Sequence, residues 1–156
     1  AFYPVMDAEP LKLPPNENVE LTLEYIQKES NLAVSQGQEI LFLDQRQLLT
    51  FGVVEDVPLV ADYEKKLVMD KAMSRDEDYF NDFYHDLANH RFGLIVSEPQ
   101  VVLFASDDDA WAEENDIWVE WVTKPLLCYY EPKHDFKKTS VWLFVPRAEP
   151  LDCKYP

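Results

Sequence analysis

A chain of 156 residues, 47% hydrophobic and 13% aromatic, has the composition of a folded protein and the length of one compact domain. Its 30 acidic and 14 basic residues give a formal net charge of −16, which argues against nucleic acid as a partner and disfavours docking on anionic lipid. With only three glycines, the chain has no glycine-rich phosphate-binding loop, and we predict no cofactor.

No apolar stretch approaches the roughly 20 residues that a membrane-spanning helix needs, and we find no signal peptide. The chain begins at Ala1 rather than Met, which indicates either a removed leader or a piece of a longer protein. Prolines exclude a regular helix in residues 1–16, where we predict an extended lead-in. The whole chain, residues 1–156, is predicted to be a single α/β domain with an irregular tail at 147–156.

An amphipathic helix is predicted from about residue 18, because apolar residues recur at helical spacing along one face: Val19, Leu23, Ile26 and Ala33. Asn16 or Asn18 is suited to cap the start of this helix. Gly37 is a suitable residue for its end, since glycine readily adopts the left-handed conformation of a helix stop.

Two unbroken apolar runs predict strands that are buried on both faces, at residues 39–43 and 93–97. Between them we predict a short helical turn at 44–51, an ordered loop at 53–60 and two helices. Asp62 is the expected cap of the first helix, which covers residues 63–73. Ser74 and Glu77 form a capping box that starts the second helix, and this helix ends near Asn89.

The C-terminal third begins with an apolar tetrad at 101–104, which predicts either an extra short strand or a packed loop. A further helix is predicted from Ser106 to about Thr123, because Pro125 would stop it. Residues 126–130 and 140–145 are predicted to pair as an antiparallel hairpin, since their connection is short. The sum is a small three-layer α/β sandwich whose sheet is mostly parallel, with an antiparallel C-terminal hairpin.

Polar side chains follow both predicted parallel strands, at the edge where ligands bind in open parallel sheets. Asp44 and Arg46 follow the first strand, and Ser97 and Glu98 end the second. Two carboxylates and an arginine at this edge are suited to binding a polar ligand or to acid–base chemistry. The alternative is an ion pair between Arg46 and one of the carboxylates, which would also cap neighbouring backbone amides.

Cys128 and Cys153 are the only cysteines. In an oxidising compartment they would pair and tie the tail to the last predicted strands, whereas otherwise both remain free thiols. The aromatic residues nearby either line a sugar-binding face or belong to the core: Trp111, Trp118, Trp121, Tyr129 and Tyr130.

No metal site is predicted. The carboxylates of residues 107–109 lack the spacing and the glycine of a calcium-binding loop, and the three histidines do not form a ligand set. No nucleophile motif is present either, so no catalytic residue is assigned.

Three parts of the chain together resemble a known group of proteins: ILFLDQRQLLTFG with VPLVADYEKKLVMDKAM, then YFNDFYHDLANHRFGLIVSEP, then EENDIWVEWVTKPLLCYYEP. They look like the soluble C-terminal extracytoplasmic domain of multi-spanning bacterial membrane proteins that are similar to integral-membrane (GT-C type) glycosyltransferases. The resemblance covers about residues 38–146. It implies a location on the extracytoplasmic face of a bacterial membrane, either periplasmic or extracellular.

In that group the membrane helices carry the lipid-linked sugar chemistry, so the resemblance implies no catalytic residue in this chain. It implies a non-catalytic accessory or interaction domain. Its partner would be another protein or the membrane-embedded portion of the same protein, and its candidate ligand a glycan or a lipid-linked sugar. Two other functions stay open: a structural subunit of a larger membrane or surface assembly, and a small hydrolase that uses the carboxylates of Asp44 and Glu98.

Overall fold

The computed structural model describes residues 16–105, 111–136, 138–153 and 155, and every structural statement below concerns these residues. Residues 1–15 of the lead-in predicted at 1–16 and the aspartates at 107–109 lie outside them, whereas residue 16 already belongs to a helix. The elements are α1 (Asn16–Ser35), β1 (Glu39–Phe42), α2 (Gln47–Thr50), α3 (Lys65–Met73), α4 (Glu77–Ala88), β2 (Phe92–Ser97), α5 (Ala112–Trp118), a π-helical turn (Val119–Thr123), α6 (Lys124–Tyr129), β3 (Tyr130–Phe136) and β4 (Val141–Pro146).

The described strands form one mixed sheet in the order β1–β2–β4–β3. β1 and β2 are parallel, with Leu41 opposite Ile95, whereas β4 is antiparallel to both β2 and β3. The α/β fold class and the C-terminal hairpin are therefore confirmed. The sheet is mixed rather than mostly parallel, because β4, the return strand of the hairpin, pairs directly with β2 and runs opposite to it.

Helices and loops cover both faces of the sheet, which explains the unbroken apolar run in β1. Ile40 and Phe42 point to the face that α1 covers, where they pack with Ile26. Leu41 and Leu43 point to the other face and join the core formed with α3, α4, α6 and the π-helical turn. Because alternate residues of a strand face opposite sides, only a strand buried on both sides is apolar throughout. The three-layer arrangement is confirmed.

Two helix starts differ from the prediction. α3 begins after Glu64, whose carboxylate accepts hydrogen bonds from two backbone N–H groups of the first turn, so the predicted cap Asp62 was wrong. α4 begins after Asp76, whose carboxylate accepts a hydrogen bond from the Tyr79 N–H, and Ser74 ends α3 instead of starting α4. The reason is Arg75, whose positive φ of 53° turns the chain between the two helices.

The predicted stop at Pro125 was also wrong. The chain continues from α5 through the π-helical turn into α6, and Pro125 lies in the first turn of α6. A proline is tolerated there because its missing N–H would have no partner within the helix. Most of the strand predicted at 126–130 is therefore helical, and β3 begins at Tyr130.

The apolar tetrad at 101–104 forms neither a strand nor a packed loop. Its four side chains are 46–70% exposed. Its end is nevertheless held by α5, because Asn115 Nδ2 donates to Leu103 O at 3.0 Å and the Ala105 N–H donates to Asp116 Oδ1 at 2.9 Å.

A disulfide joins Cys128 of α6 to Cys153 of the irregular tail, with the two Cα atoms 5.9 Å apart. Around it, the Leu151 N–H donates to Cys128 O at 3.0 Å, and the hydroxyls of Tyr129 and Tyr155 lie 2.6 Å apart. The tail is therefore fastened to the end of α6 by a covalent bond and by flanking hydrogen bonds.

Replacing both cysteines, as Cys128→Ala with Cys153→Ala, should lower the free energy of unfolding by about 3 kcal/mol, the loss expected for opening a loop of this length. Urea unfolding of the oxidised protein and of the double variant measures the difference. Wild-type protein unfolded under reducing conditions should lose a similar amount. Equal stability in all three samples would show that the hydrogen bonds alone hold the tail.

Candidate functional site

The carboxyl ends of β1 and β2 lie side by side and bring Asp44 next to Glu98. Asp44 Oδ2 accepts a hydrogen bond from the backbone N–H of Glu98 at 2.8 Å. The Asp44 side chain is only 8% exposed, whereas that of Glu98 is 49% exposed. Asp44 therefore holds the two strand ends together, and it does so from a largely buried position.

The cation of this site is Lys65, which the sequence analysis did not identify. Its Nζ lies 3.4 Å from Asp44 Oδ1 and 2.7 Å from Glu98 Oε2. Lys65 is the first residue of α3, and its backbone N–H donates to Leu43 O at 3.2 Å. The sequence carries no local signal for this contact, because it arises from the docking of α3 against the end of β1.

Burial is the largest influence on the pKa of Asp44 and raises it above the ordinary value, although the hydrogen bond from the Glu98 N–H and the charge of Lys65 act in the opposite direction. Burial also acts to lower the pKa of Lys65, but its hydrogen bond to Glu98 and the charge of Asp44 outweigh that influence, and the pKa rises. Lys65 therefore stays charged and bridges the two carboxylates.

Arg46 and Ser97, the other two predicted site residues, make their contacts elsewhere. Arg46 Nη2 donates to Val60 O, its Nε is buried without a hydrogen-bond partner among the described residues, and burial lowers its pKa. Ser97 is fully buried, and its Oγ donates to Glu98 O at 2.6 Å. The alternative ion pair between Arg46 and a predicted carboxylate is thus replaced by the Lys65 bridge.

A crevice of about 530 Å³ opens at the carboxyl end of β1, beside the first turns of α3. Its wall includes apolar groups and both kinds of charge: Leu43, Asp44, Arg46, Lys65, Lys66, Met69, Asp70 and Glu114. Within the described part of the chain, the side chains of Lys66, Asp70 and Glu114 make no hydrogen bond or ion pair. The crevice therefore presents one cation and two carboxylates that are free to contact a ligand.

Comparison with known proteins gives no match: no family model, no curated protein and no solved structure matches the chain. Among the described residues, no three His, Cys, Asp or Glu side chains are grouped so as to hold a metal ion. None of the described helices is long and apolar enough to cross a membrane.

The raised pKa of Asp44 predicts a specific pH dependence. The folded state holds the Asp44 proton more tightly than the unfolded chain, so this residue adds stability below its unfolded pKa, and the contribution is lost as pH rises through the folded pKa. Asp44→Asn, which cannot ionise, should therefore gain stability relative to wild type as pH rises from below the ordinary aspartate pKa of about 3.9 toward neutral pH. Urea unfolding across this range measures the difference.

Asp44→Ala is the matched comparison. It removes the acceptor that Asn retains, leaves the Glu98 N–H without its partner, and should cost about 1–3 kcal/mol at neutral pH. If Asn and Ala were equally destabilising at pH 7, the fold would need the charge of Asp44 rather than its acceptor.

Proposed function

We propose that this chain is a non-catalytic, extracytoplasmic binding domain of a glycosyltransferase-like membrane protein, and that its crevice takes a polyhydroxylated ligand such as the sugar group of a glycan or lipid-linked sugar. The observation that carries the proposal is the crevice itself, where the unpaired side chains of Lys66, Asp70 and Glu114 surround a volume of about 530 Å³. That volume lies within the range of small-molecule sites.

The chemistry of the wall suits a sugar. A hydroxyl group both donates and accepts hydrogen bonds, so Asp70 and Glu114 can accept from it while Lys66 donates to it. Leu43 and Met69 supply apolar contact for the C–H groups of a ring. The Lys65 bridge keeps one wall in place, because it connects the start of α3 to the ends of both parallel strands.

The disulfide supports the proposed location, since disulfides persist in oxidising compartments such as the periplasm and the cell exterior. The relation to membrane glycosyltransferases rests on the resemblance of the three quoted segments. The charge of −16 favours a protein or a membrane-embedded portion as the partner over an anionic lipid surface.

Binding is favoured over hydrolysis by the contacts of Asp44 and Glu98, the two carboxylates of the hydrolase alternative. Both share Lys65 as their counter-ion, and Asp44 also accepts the Glu98 N–H. Asp44 is thus occupied in joining the strand ends, whereas a general acid or base must be within hydrogen-bond reach of a substrate proton.

Titration of the isolated, oxidised chain with a panel of mono- and oligosaccharides, followed by amide NMR, tests this function. We expect saturable shifts at the first turns of α3 and near Glu114. Asp70→Asn combined with Glu114→Gln should weaken binding at least tenfold, equivalent to about 1.4 kcal/mol.

Glu113→Gln is the matched control, because Glu113 is an exposed carboxylate next to Glu114 that does not line the crevice. It should leave the affinity within about twofold, well below one hydrogen bond to a charged group. Absence of any saccharide-dependent shift near the crevice would overturn the proposal and favour a structural subunit, as would an equal loss in the control.

A further inference from the structure

A second cavity lies between α4 and the π-helical turn and is separate from the crevice. Glu77, Phe80, Asn81 and Tyr84 recur at helical spacing along α4, and Trp121 of the π-helical turn faces them. Together they line a cavity of about 290 Å³, which we call the aromatic groove. Of the tryptophans that the sequence assigned to a sugar-binding face or to the core, Trp121 is the one that lines this cavity.

The three rings of the aromatic groove meet at an angle and form a concave corner. The Phe80 and Trp121 rings have centroids 5.1 Å apart and are inclined by 63°, and the Phe80 and Tyr84 rings are 5.6 Å apart and inclined by 42°. A flat sugar ring stacks best on a flat aromatic face. Phe80 is buried beneath this corner and Tyr84 is only 8% exposed, so the half-buried ring of Trp121 presents the larger accessible surface and Tyr84 adds a small part. This limited aromatic surface fits a compact, rounded group.

The position of Trp121 is held by a hydrogen bond across the groove. The Tyr84 hydroxyl donates to the backbone carbonyl of Trp121 at 2.8 Å, which fastens the π-helical turn to α4. π-Helical turns occur frequently at functional sites, because the inserted residue redirects the side chains around it. Here the turn brings an indole ring over the same cavity as the α4 side chains.

The charge of the groove favours a cation. Neither the Glu77 carboxylate nor the Asn81 amide makes a hydrogen bond or ion pair with the described residues, and both side chains are exposed. The faces of aromatic rings attract cations, and tryptophan does so most strongly. The net charge of −16 adds a long-range negative potential, which also attracts a cation.

We propose that the aromatic groove binds a compact organic cation, an alkylammonium group, through contact with the rings of Trp121 and Tyr84 and attraction to the carboxylate of Glu77. Asn81 offers its amide oxygen to a cation that carries an N–H. This site is independent of the sugar-binding function proposed for the crevice, because the two cavities share no lining residue.

Tyr155 of the disulfide-linked tail supports the Tyr84 ring but does not itself line the cavity. The ring of Tyr155 packs on that of Tyr84 with centroids 4.7 Å apart, and its hydroxyl lies 2.6 Å from that of Tyr129. Because Cys153 fastens this part of the tail to α6, the experiment uses the oxidised full chain.

Choline chloride and its neutral isostere 3,3-dimethylbutan-1-ol are titrated separately at equal ionic strength, with the side-chain amide resonances of Asn81 followed by NMR. We expect saturable shifts with choline and an affinity at least tenfold above that for the alcohol. Equal binding of the alcohol would overturn the proposal, because the site would then be apolar rather than cation-selective.

The variants test whether the Trp121 ring and the Glu77 carboxylate attract the cation, or only the overall negative charge of the protein. Trp121→Leu should abolish saturable binding, and Trp121→Phe, which retains an aromatic ring and the fold, should weaken it at least threefold. Glu77→Gln should also weaken it at least threefold. Asp82→Asn, the same charge change at another exposed position of α4, should change the affinity less than twofold. Undiminished binding in both Trp121 variants, or an equal loss in Asp82→Asn, would overturn the proposal.

Phosphatidylcholine vesicles distinguish the source of the cation. Co-sedimentation that Trp121→Leu removes would assign the alkylammonium group to a lipid headgroup. Binding of free choline without co-sedimentation would assign it to a soluble molecule or to a side chain of a protein.

Discussion

The parallel pairing of β1 with β2 is the constraint on which the rest of the structure depends. Leu41 and Ile95 face each other across this pair, and both are completely buried. Since each strand needs apolar cover on both faces, α1 must lie on one side of the sheet and α3, α4 and α6 on the other. The crevice exists because α3 then begins directly beside the carboxyl end of β1.

A basic side chain bridges carboxylates at each end of this strand pair. Because the chain has 30 acidic and 14 basic residues, these bridges relieve repulsion between carboxylates. At the amino end, the Arg91 guanidinium contacts both carboxylate oxygens of Glu39, at 2.9 and 3.2 Å, and Asp86 at 2.9 Å. At the carboxyl end, Lys65 bridges Asp44 and Glu98. Each cation thus joins carboxylates that lie far apart in the sequence, and it relieves their repulsion where the strands begin and end.

The two proposed sites use different parts of this framework for different chemistry. The crevice is built on the strand ends and has free carboxylates and an ammonium group of Lys66, as suits hydroxyl groups. The aromatic groove is built between α4 and the π-helical turn, and it combines inclined rings with the one carboxylate of Glu77. A domain with both proposed sites would contact a sugar and a cationic group at separate places on its surface.

The sequence by itself determined the α/β class, the two buried strands, the first helix with its end at Gly37, and the placement of Asp44 and Glu98 at strand ends. These features follow from local patterns, since apolar runs and helical spacing report burial directly. Tertiary structure alone decided the position of β4 beside β2, the role of Lys65 and the continuation of the helix through Pro125. Strand order, ion pairing and helix docking depend on contacts between residues that are distant in the chain, and no local pattern encodes them.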